Sequence, residues 1–339
     1  MHCGELSAKG RMHAPGNGAA VESKEEEWQK LPKTEGNVKG RKIAAGVPKD
    51  LDWIDEESVT AYWEMGTPST TAQVHPYQFT TSMADLAVEA GAKIVLGSVQ
   101  SIEKDADGVK AVIYEDKASK TSHTISATDV ILAAGPWTKT VFPEAPIEAM
   151  RAHSVVVKAD VTPYAIFSQI NLPRDFGRTG GGDVIRRKHG LTVSPEMYAR
   201  PDGTVYACGM IPPFPNPTST NANHAAGEGD SLIPLPRSSD LVVCDDDRCQ
   251  DIVDYVSSIS TPMREGEVLV RQACYLPSVS SGGGPLIGET GIRGLLMATG
   301  HTCWGIQNSC ATGKLMSEFV FEGRARSANI ASLDPRKFL

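Results

Sequence analysis

Between Met297 and Phe319 the chain reads MATGHTCWGIQNSCATGKLMSEF. Gly300-His301, Trp304-Gly305 and Ala311-Thr312-Gly313 crowd into the place where an apolar strand, GLLMATG, gives way to a helix. Glycines at such a junction let the backbone approach a ligand closely. A second stretch, DVILAAGPWT, runs as a nearly continuous apolar strand from Val130 to Ala134 and stops at Gly135-Pro136. The end of a buried strand is the usual ligand position in an open α/β sheet. Each feature also has a plainer reading. Gly135 can be a turn glycine, Trp137 and Trp304 core or rim aromatics, and His301 a hydrogen-bonded structural histidine.

The elements that must position these residues follow from periodicity. Phe79, Met83, Leu86, Ala87 and Ala90 recur at helical spacing after Pro76, with Gly91 as the stop. KIVLGSV then reads as a short strand, and SIEKDADGVKAVIYED as a hairpin turning at Asp107-Gly108. Val130 to Ala134, apolar on both faces, belongs in a sheet covered on both sides. The chain from 146 to 272 is different in texture. SVVVKAD, LTVSPEMYARPDGTVYACG and EGEVLVRQACYLP predict antiparallel strands, with turns at Pro201-Asp202-Gly203 and Arg264-Glu265-Gly266. DDDRCQD predicts a helix start, because carboxylates favour a helix N-terminus; Ile252, Val253, Val256 and Ile259 would face its core. A last helix is expected from Ser309 to Glu322, closed by Gly323.

The totals bound the function. The 339 residues carry a net charge of −8 and 22% charged residues, with no basic block, which gives nucleic-acid binding no support. No apolar run reaches the length of a membrane span, and the first residues contain no apolar secretory core. Seven cysteines, scattered and without a CxxC pair, suit a reducing compartment, so a cytoplasmic location is expected. No metal site is expected, because neither Cys244 with Cys249 nor His301 with Cys303 has the paired spacing of zinc ligands.

GHTCWGIQNSCATGKLMSE resembles the C-terminal flavin loop of the D-amino-acid oxidase/glycine oxidase (DAO) family of FAD-dependent oxidoreductases. Three further pieces agree in order: DVILAAGPWT with the family's strand ending in Ala-Gly-x-Trp, HPYQFTTSMADLAVEAGAKIVLGSVQSI with its helix followed by Gly-x-Val-x-x-Ile, and GGGPLIGE with its Gly-x-Pro-x-Ile-Gly. The resemblance covers residues 52 to 339 and is greatest to a fungal branch of the family. It implies an α/β fold with an FAD domain, 52–145 and 273–339, and an antiparallel substrate domain, 146–272. Residues 1–51, rich in Gly, Lys and Glu, are expected to be loosely ordered.

The same resemblance implies the site. FAD is long, so several backbone segments must line it. Val99 would read the adenine edge. Ala134, Gly135, Pro136 and Trp137 would line the cofactor. Gly300, His301, Trp304, Gly305, Ile306 and Gln307 would lie against the isoalloxazine, with His301 and Trp304 the candidates for shaping the ring's environment. The last helix would aim its N-terminus at the N1–C2=O edge, where a reduced flavin is anionic. Tyr198, Arg200 and His75 are the candidates for substrate contact, although capping is as good a role for His75. The implied function is oxidation of a small amine or amino-acid-like molecule by hydride transfer to flavin N5, with oxygen as reoxidant.

Two departures stand against this. The Gly-x-Gly-x-x-Gly phosphate fingerprint is absent, and the triple glycines at 180–182 and 282–284 fall in the wrong positions. The chain therefore reads as a member lacking its first βαβ unit. The Arg with which amino-acid oxidases of the family clamp a carboxylate falls at Leu276, with Arg271 and Arg200 only nearby. The alternative function is a non-catalytic, flavin-poor binding or scaffold protein.

Overall fold

The computed structural model describes residues 1–11, 46–174, 176, 191–209 and 235–339. In chain order the elements are β1 (His2–Lys9), β2 (Val59–Gly66), α1 (Pro76–Glu89), β3 (Gly97–Asp105), β4 (Gly108–Asp116), β5 (Ser122–Ser126) and β6 (Val130–Leu132). They continue with α2 (Thr138–Val141), β7 (Ile147–Lys158), β8 (Tyr164–Asn171), β9 (Thr192–Val193), β10 (Pro195–Ala199) and β11 (Thr204–Gly209). The remainder are α3 (Asp246–Ser257), α4 (Thr261–Glu265), β12 (Val268–Val279), β13 (Leu286–Glu289), β14 (Leu295–Thr299) and α5 (Gly305–Glu322). The chain divides into two compact units, and each is described by itself. The first comprises Met1–Gln73, Ala152–Ser231 and Val243–Cys274; the second Val74–Arg151, Leu232–Val242 and Tyr275–Leu339.

The first unit is built on a mostly antiparallel sheet in the order β12-β7-β11-β10-β8-β1-β2, with β9 paired to β8. The sequence leads one to expect a loosely ordered start, but His2–Lys9 is a strand, parallel to β8 and antiparallel to β2. Its alternation explains this: Leu6 and Ala8 are fully buried while Glu5 and Lys9 face outward. A polar composition hid a short two-sided pattern. The charged stretch SKEEEWQK, the glycines 180–182 and the loop PPFPNPTSTNANHAAGEGD lie outside the described residues.

One face of this sheet packs on α3, with Leu6, Val155, Val157, Tyr164, Ile166, Met197, Val205, Ile252 and Val256 in a common core. α3 begins where the carboxylate run predicts, and the Asp245 side chain accepts hydrogen bonds from the N–H groups of Asp247 and Arg248. Ile252, Val256 and Ile259 are buried as expected. Gly203 turns β10 into β11 with φ of 74°. The expected turn at Arg264-Glu265-Gly266 is instead the end of the short helix α4, capped by Ser260.

The second unit holds two three-stranded sheets, β13-β14-β6 and β3-β4-β5. The hairpin at Asp107-Gly108 is present. Three expectations need correction. KIVL is not strand: β3 starts only at Gly97, and Ile94, Val95 and Leu96 are exposed. α1 has the expected limits but buries no residue, so Met83 and Leu86 lie in solvent rather than on a core. β6 covers only Val130–Leu132, and Ile131 is 41% exposed, so the strand is not enclosed on both sides. All three rest on apolar periodicity, which marks a surface suited to burial but does not supply what covers it.

Candidate functional site

The site grows from two parallel strands in the second unit. β6 and β14 run side by side, with Val130 opposite Leu295 and Leu132 opposite Met297. Both therefore end at the same edge of the sheet. Each end leads into a glycine with positive φ, Gly135 at 51° and Gly300 at 80°. Each then makes one 3-10 turn, Gly135–Trp137 and Thr302–Trp304, and enters a helix. The two loops are built alike because both must turn sharply off a strand end, which a left-handed backbone allows and which glycine adopts without penalty.

The loops are tied together by hydroxyls that the sequence did not single out. Thr138 Oγ1 donates to the Gly135 carbonyl at 2.7 Å, and Thr299 Oγ1 donates to the same carbonyl at 3.2 Å. The two threonine hydroxyls lie 3.2 Å apart, and both residues are fully buried. Their only sequence signal is adjacency, Thr138 following Trp137 and Thr299 preceding Gly300.

The surroundings differ between the two glycines. A Cβ at Gly135 would meet nothing within 4 Å, whereas one at Gly300 would come within 2.9 Å of Val279 Cγ2. So Gly135 faces open space and Gly300 is packed. α5 begins at Gly305, one turn earlier than Ser309, and Trp304 at its N-cap makes no side-chain cap hydrogen bond. The first N–H groups of a helix have no partner within it. Here they emerge beside Trp304, which is 55% exposed, and next to exposed Gln307 and Asn308.

His301 closes the loop from beneath. Its Nε2 lies 2.9 Å from Thr312 Oγ1, on the buried side of α5. Burial lowers its pKa below the ordinary imidazole value, which favours the neutral ring. Trp137 is fixed by a 2.6 Å hydrogen bond from Nε1 to the Pro236 carbonyl and an edge contact with Tyr275. Gly135, Pro136 and Trp137 thus share one strand-end loop, and Gly300, His301, Trp304, Gly305, Ile306 and Gln307 the neighbouring one. Ala134 caps the first 3-10 turn. Val99 sits in β3 of the other small sheet, partly exposed. His75 occupies the N-cap position of α1 without a side-chain cap hydrogen bond.

Tyr198 and Arg200 belong to the first unit, on the sheet face away from α3. Tyr198 donates a 2.5 Å hydrogen bond to Glu196 Oε2. Arg200 lies 5.0 Å over the Tyr206 ring. Burial and the adjoining Glu196 carboxylate raise the Tyr198 phenol far above its ordinary value, so it stays a hydrogen-bond donor. Sequence reasoning missed Glu196, the partner of Tyr198, and Cys208, whose thiol donates to the same Glu196 Oε2; the signal was the i, i+2 placement of Glu196 and Tyr198 on one face of β10.

The residues present suit the edge of a planar, polar ligand: open space above Gly135, a helix N-terminus at Gly305 that no side chain caps, and an aromatic ring at Trp304. Among the described residues no strand-to-helix glycine loop of the phosphate-binding kind is found; Gly282 and Gly283, both with positive φ, turn between strands β12 and β13 instead.

Comparison with known proteins agrees with this architecture. Residues 4–319 match the model of the DAO family, described as FAD dependent oxidoreductase. The Saccharomyces cerevisiae protein TDA3, provisionally named an oxidoreductase, is 36% identical over 326 residues, covering 86% of this chain and 56% of that protein. The Schizosaccharomyces pombe protein C1F5.03c, named in the same way, is 31% identical over 303 residues, covering 85% and 70%. Among solved structures, L-proline dehydrogenase from P. horikoshii superposes with a TM-score of 0.59 at 15% identity, over 86% of this chain and 66% of that one. Glycine oxidase from Bacillus cereus gives 0.58 at 17% identity, over 82% and 63%. The chain thus spans little more than half the length of TDA3. No helix among the described residues is long and apolar enough to cross a membrane. With a family match across most of its length and fungal relatives above 30% identity, the chain belongs to the DAO family of FAD-dependent oxidoreductases.

Proposed function

We propose that the protein binds FAD at the paired strand ends and oxidises a small amine or amino-acid-like molecule. The observation that carries this reading is the pair of positive-φ glycines, Gly135 and Gly300, on adjacent parallel strands, beside the uncapped N-terminus of α5. Bound FAD would supply the hydride acceptor, N5, for a C–H next to an amine nitrogen, with oxygen as the reoxidant. The chain's own residues supply the environment. The N–H groups of Gly305, Ile306 and Gln307 would donate to oxygen and nitrogen atoms on the ring edge, and the helix dipole would favour negative charge there. Trp304 would cover the ring, Ala134, Pro136 and Trp137 would wall it, and Val99 would meet the adenine. His301, kept neutral, would hold its loop through Thr312 without adding a positive charge. Tyr198 and Arg200 are the proposed substrate contacts of the first unit, and His75 one of the second. All seven cysteines are free thiols, which supports a reducing, cytoplasmic setting.

The test is an absorbance spectrum of the purified chain with added FAD, beside Gly305→Trp. Gly305 has helical φ and only His301 Cβ within 4 Å of an added Cβ, so the variant keeps its helices by circular dichroism. The expected result is a flavin spectrum in the native chain and none in the variant. A native chain that stays colourless with FAD overturns the reading. It would favour the second one, a non-catalytic binding or scaffold protein, for which Leu276 at the carboxylate-clamp position speaks.

A further inference from the structure

The face of the first unit's sheet turned away from α3 carries a row of side chains in register. Phe167 stands opposite Glu196, Glu196 opposite Cys208, and Cys208 opposite Ser154. In the next row Tyr198 stands opposite Tyr206. Strand alternation puts Pro195, Met197 and Ala199 in the core and leaves Glu196, Tyr198 and Arg200 half-buried on the other side. The rings meet at close range: Phe167 and Tyr198 edge to face at 5.9 Å, Tyr198 and Tyr206 tilted at 6.1 Å.

Glu196 is the unusual member. A carboxylate set half-buried among three aromatic rings loses hydration that some partner must replace. Its Oε2 accepts from the Tyr198 hydroxyl at 2.5 Å and from the Cys208 thiol at 3.8 Å. Both donors are neutral, and burial beside the carboxylate raises both well above their ordinary pKa values. Among the described residues no cation pairs with Glu196, and Oε1 accepts no hydrogen bond. The nearby guanidinium of Arg200 is directed elsewhere, over the Tyr206 ring. Among the described residues the site therefore holds a carboxylate, an acceptor oxygen with no donor, and the ring surfaces of Phe167 and Tyr198. That is the complement of a cation with N–H donors: the carboxylate takes the charge and the rings attract it through their negative faces.

We propose that this face of the sheet binds a cationic amine, with Glu196 as the residue that recognises the ammonium group and Phe167 and Tyr198 as its aromatic walls. This rests on the amine-oxidising reading above for the class of ligand. Tyr198 acts as a positioning residue, fixing Oε2 so that Oε1 points to the ligand. A carboxylate in place of the amine would be repelled.

The experiment is calorimetric titration of the full chain, with and without FAD, at neutral pH. The probes are benzylamine, benzoate and benzyl alcohol, equal in shape and different in charge. Benzylamine is expected to bind at one site per chain, and the other two to bind at least tenfold more weakly. Glu196→Gln is expected to weaken benzylamine at least tenfold, and Tyr198→Phe several-fold. Glu103→Gln, an exposed carboxylate on β3 of the second unit, should leave the affinity as it is. Benzoate or benzyl alcohol binding as well as benzylamine, which needs no variant to observe, overturns the proposal. So does a folded Glu196→Gln that binds benzylamine like the native chain. Benzylamine binding by a chain that takes up no FAD would keep this site and remove the redox reading; FAD uptake without benzylamine binding would do the reverse.

Discussion

Thr138 and Thr299, 161 residues apart in the chain, bring their hydroxyls to 3.2 Å and share one acceptor, the carbonyl of Gly135. This contact joins the loops after β6 and β14 into one surface.

The first prediction concerns that joint. Thr138→Val keeps the shape but removes the hydroxyl, leaving Thr299 to satisfy the buried carbonyl alone. Losing a buried hydrogen bond of this kind costs about 1–3 kcal/mol. Thr299→Val should cost a similar amount, and the double variant less than the sum, because both remove the same network. Denaturant unfolding of the four proteins measures the coupling; strictly additive losses would show that the threonines act separately.

Gly135 and Gly300 should respond differently to alanine. Both have left-handed φ, which costs an alanine about 1–2 kcal/mol. Gly300→Ala adds a clash with Val279, while Gly135→Ala points into open space. Thermal unfolding should therefore show the larger loss at Gly300. A bulkier Gly135→Leu should leave unfolding close to that of Gly135→Ala yet abolish FAD uptake, if the ring lies there as proposed.

Acid should loosen the end of α5. Glu318 is buried on that helix and accepts from the N–H groups of Arg326 and Ser327 at 2.6 and 3.0 Å, and from the Ser327 hydroxyl. Those bonds, the Ser327 hydroxyl foremost, lower its pKa from 4.5 to about 2. A depressed carboxylate stabilises the fold above its unfolded value and loses that contribution as pH falls toward the folded one. The native chain should thus be more stable than Glu318→Gln at neutral pH, and the difference should shrink between pH 4.5 and about 2. Unfolding midpoints of both proteins across that range provide the check; a gap independent of pH would exclude the ionised Glu318 as its source.

The exposed apolar residues of the second unit make a fourth prediction. Leu86 on α1 is 57% exposed and Ile94 is similarly open. Leu86→Glu with Ile94→Lys should therefore change stability by no more than about 0.5 kcal/mol each, while reducing binding of a hydrophobic dye. A large loss of stability would mean that these side chains are buried in solution.

Much of the architecture was legible because its signals are local. The caps and core face of α3, the turn at Gly203 and the hairpin at Asp107-Gly108 each depend on a few adjacent residues. So does the succession of Gly135-Pro136 and Gly300-His301 behind apolar strands, which marked the candidate site. β1 escaped notice because the alternation of Leu6 and Ala8 is short and set in polar sequence.

The sequence by itself determined which segments turn, which residues seek burial, and that glycines stand at two strand ends. Only the tertiary structure decided that those ends are neighbours, because pairing of β6 with β14 joins residues far apart in the chain. It also decided that Glu196 meets Phe167 and Cys208 across three strands. Periodicity showed α1 and Ile131 to be apolar, but burial depends on what packs against a surface, and no local pattern encodes that partner.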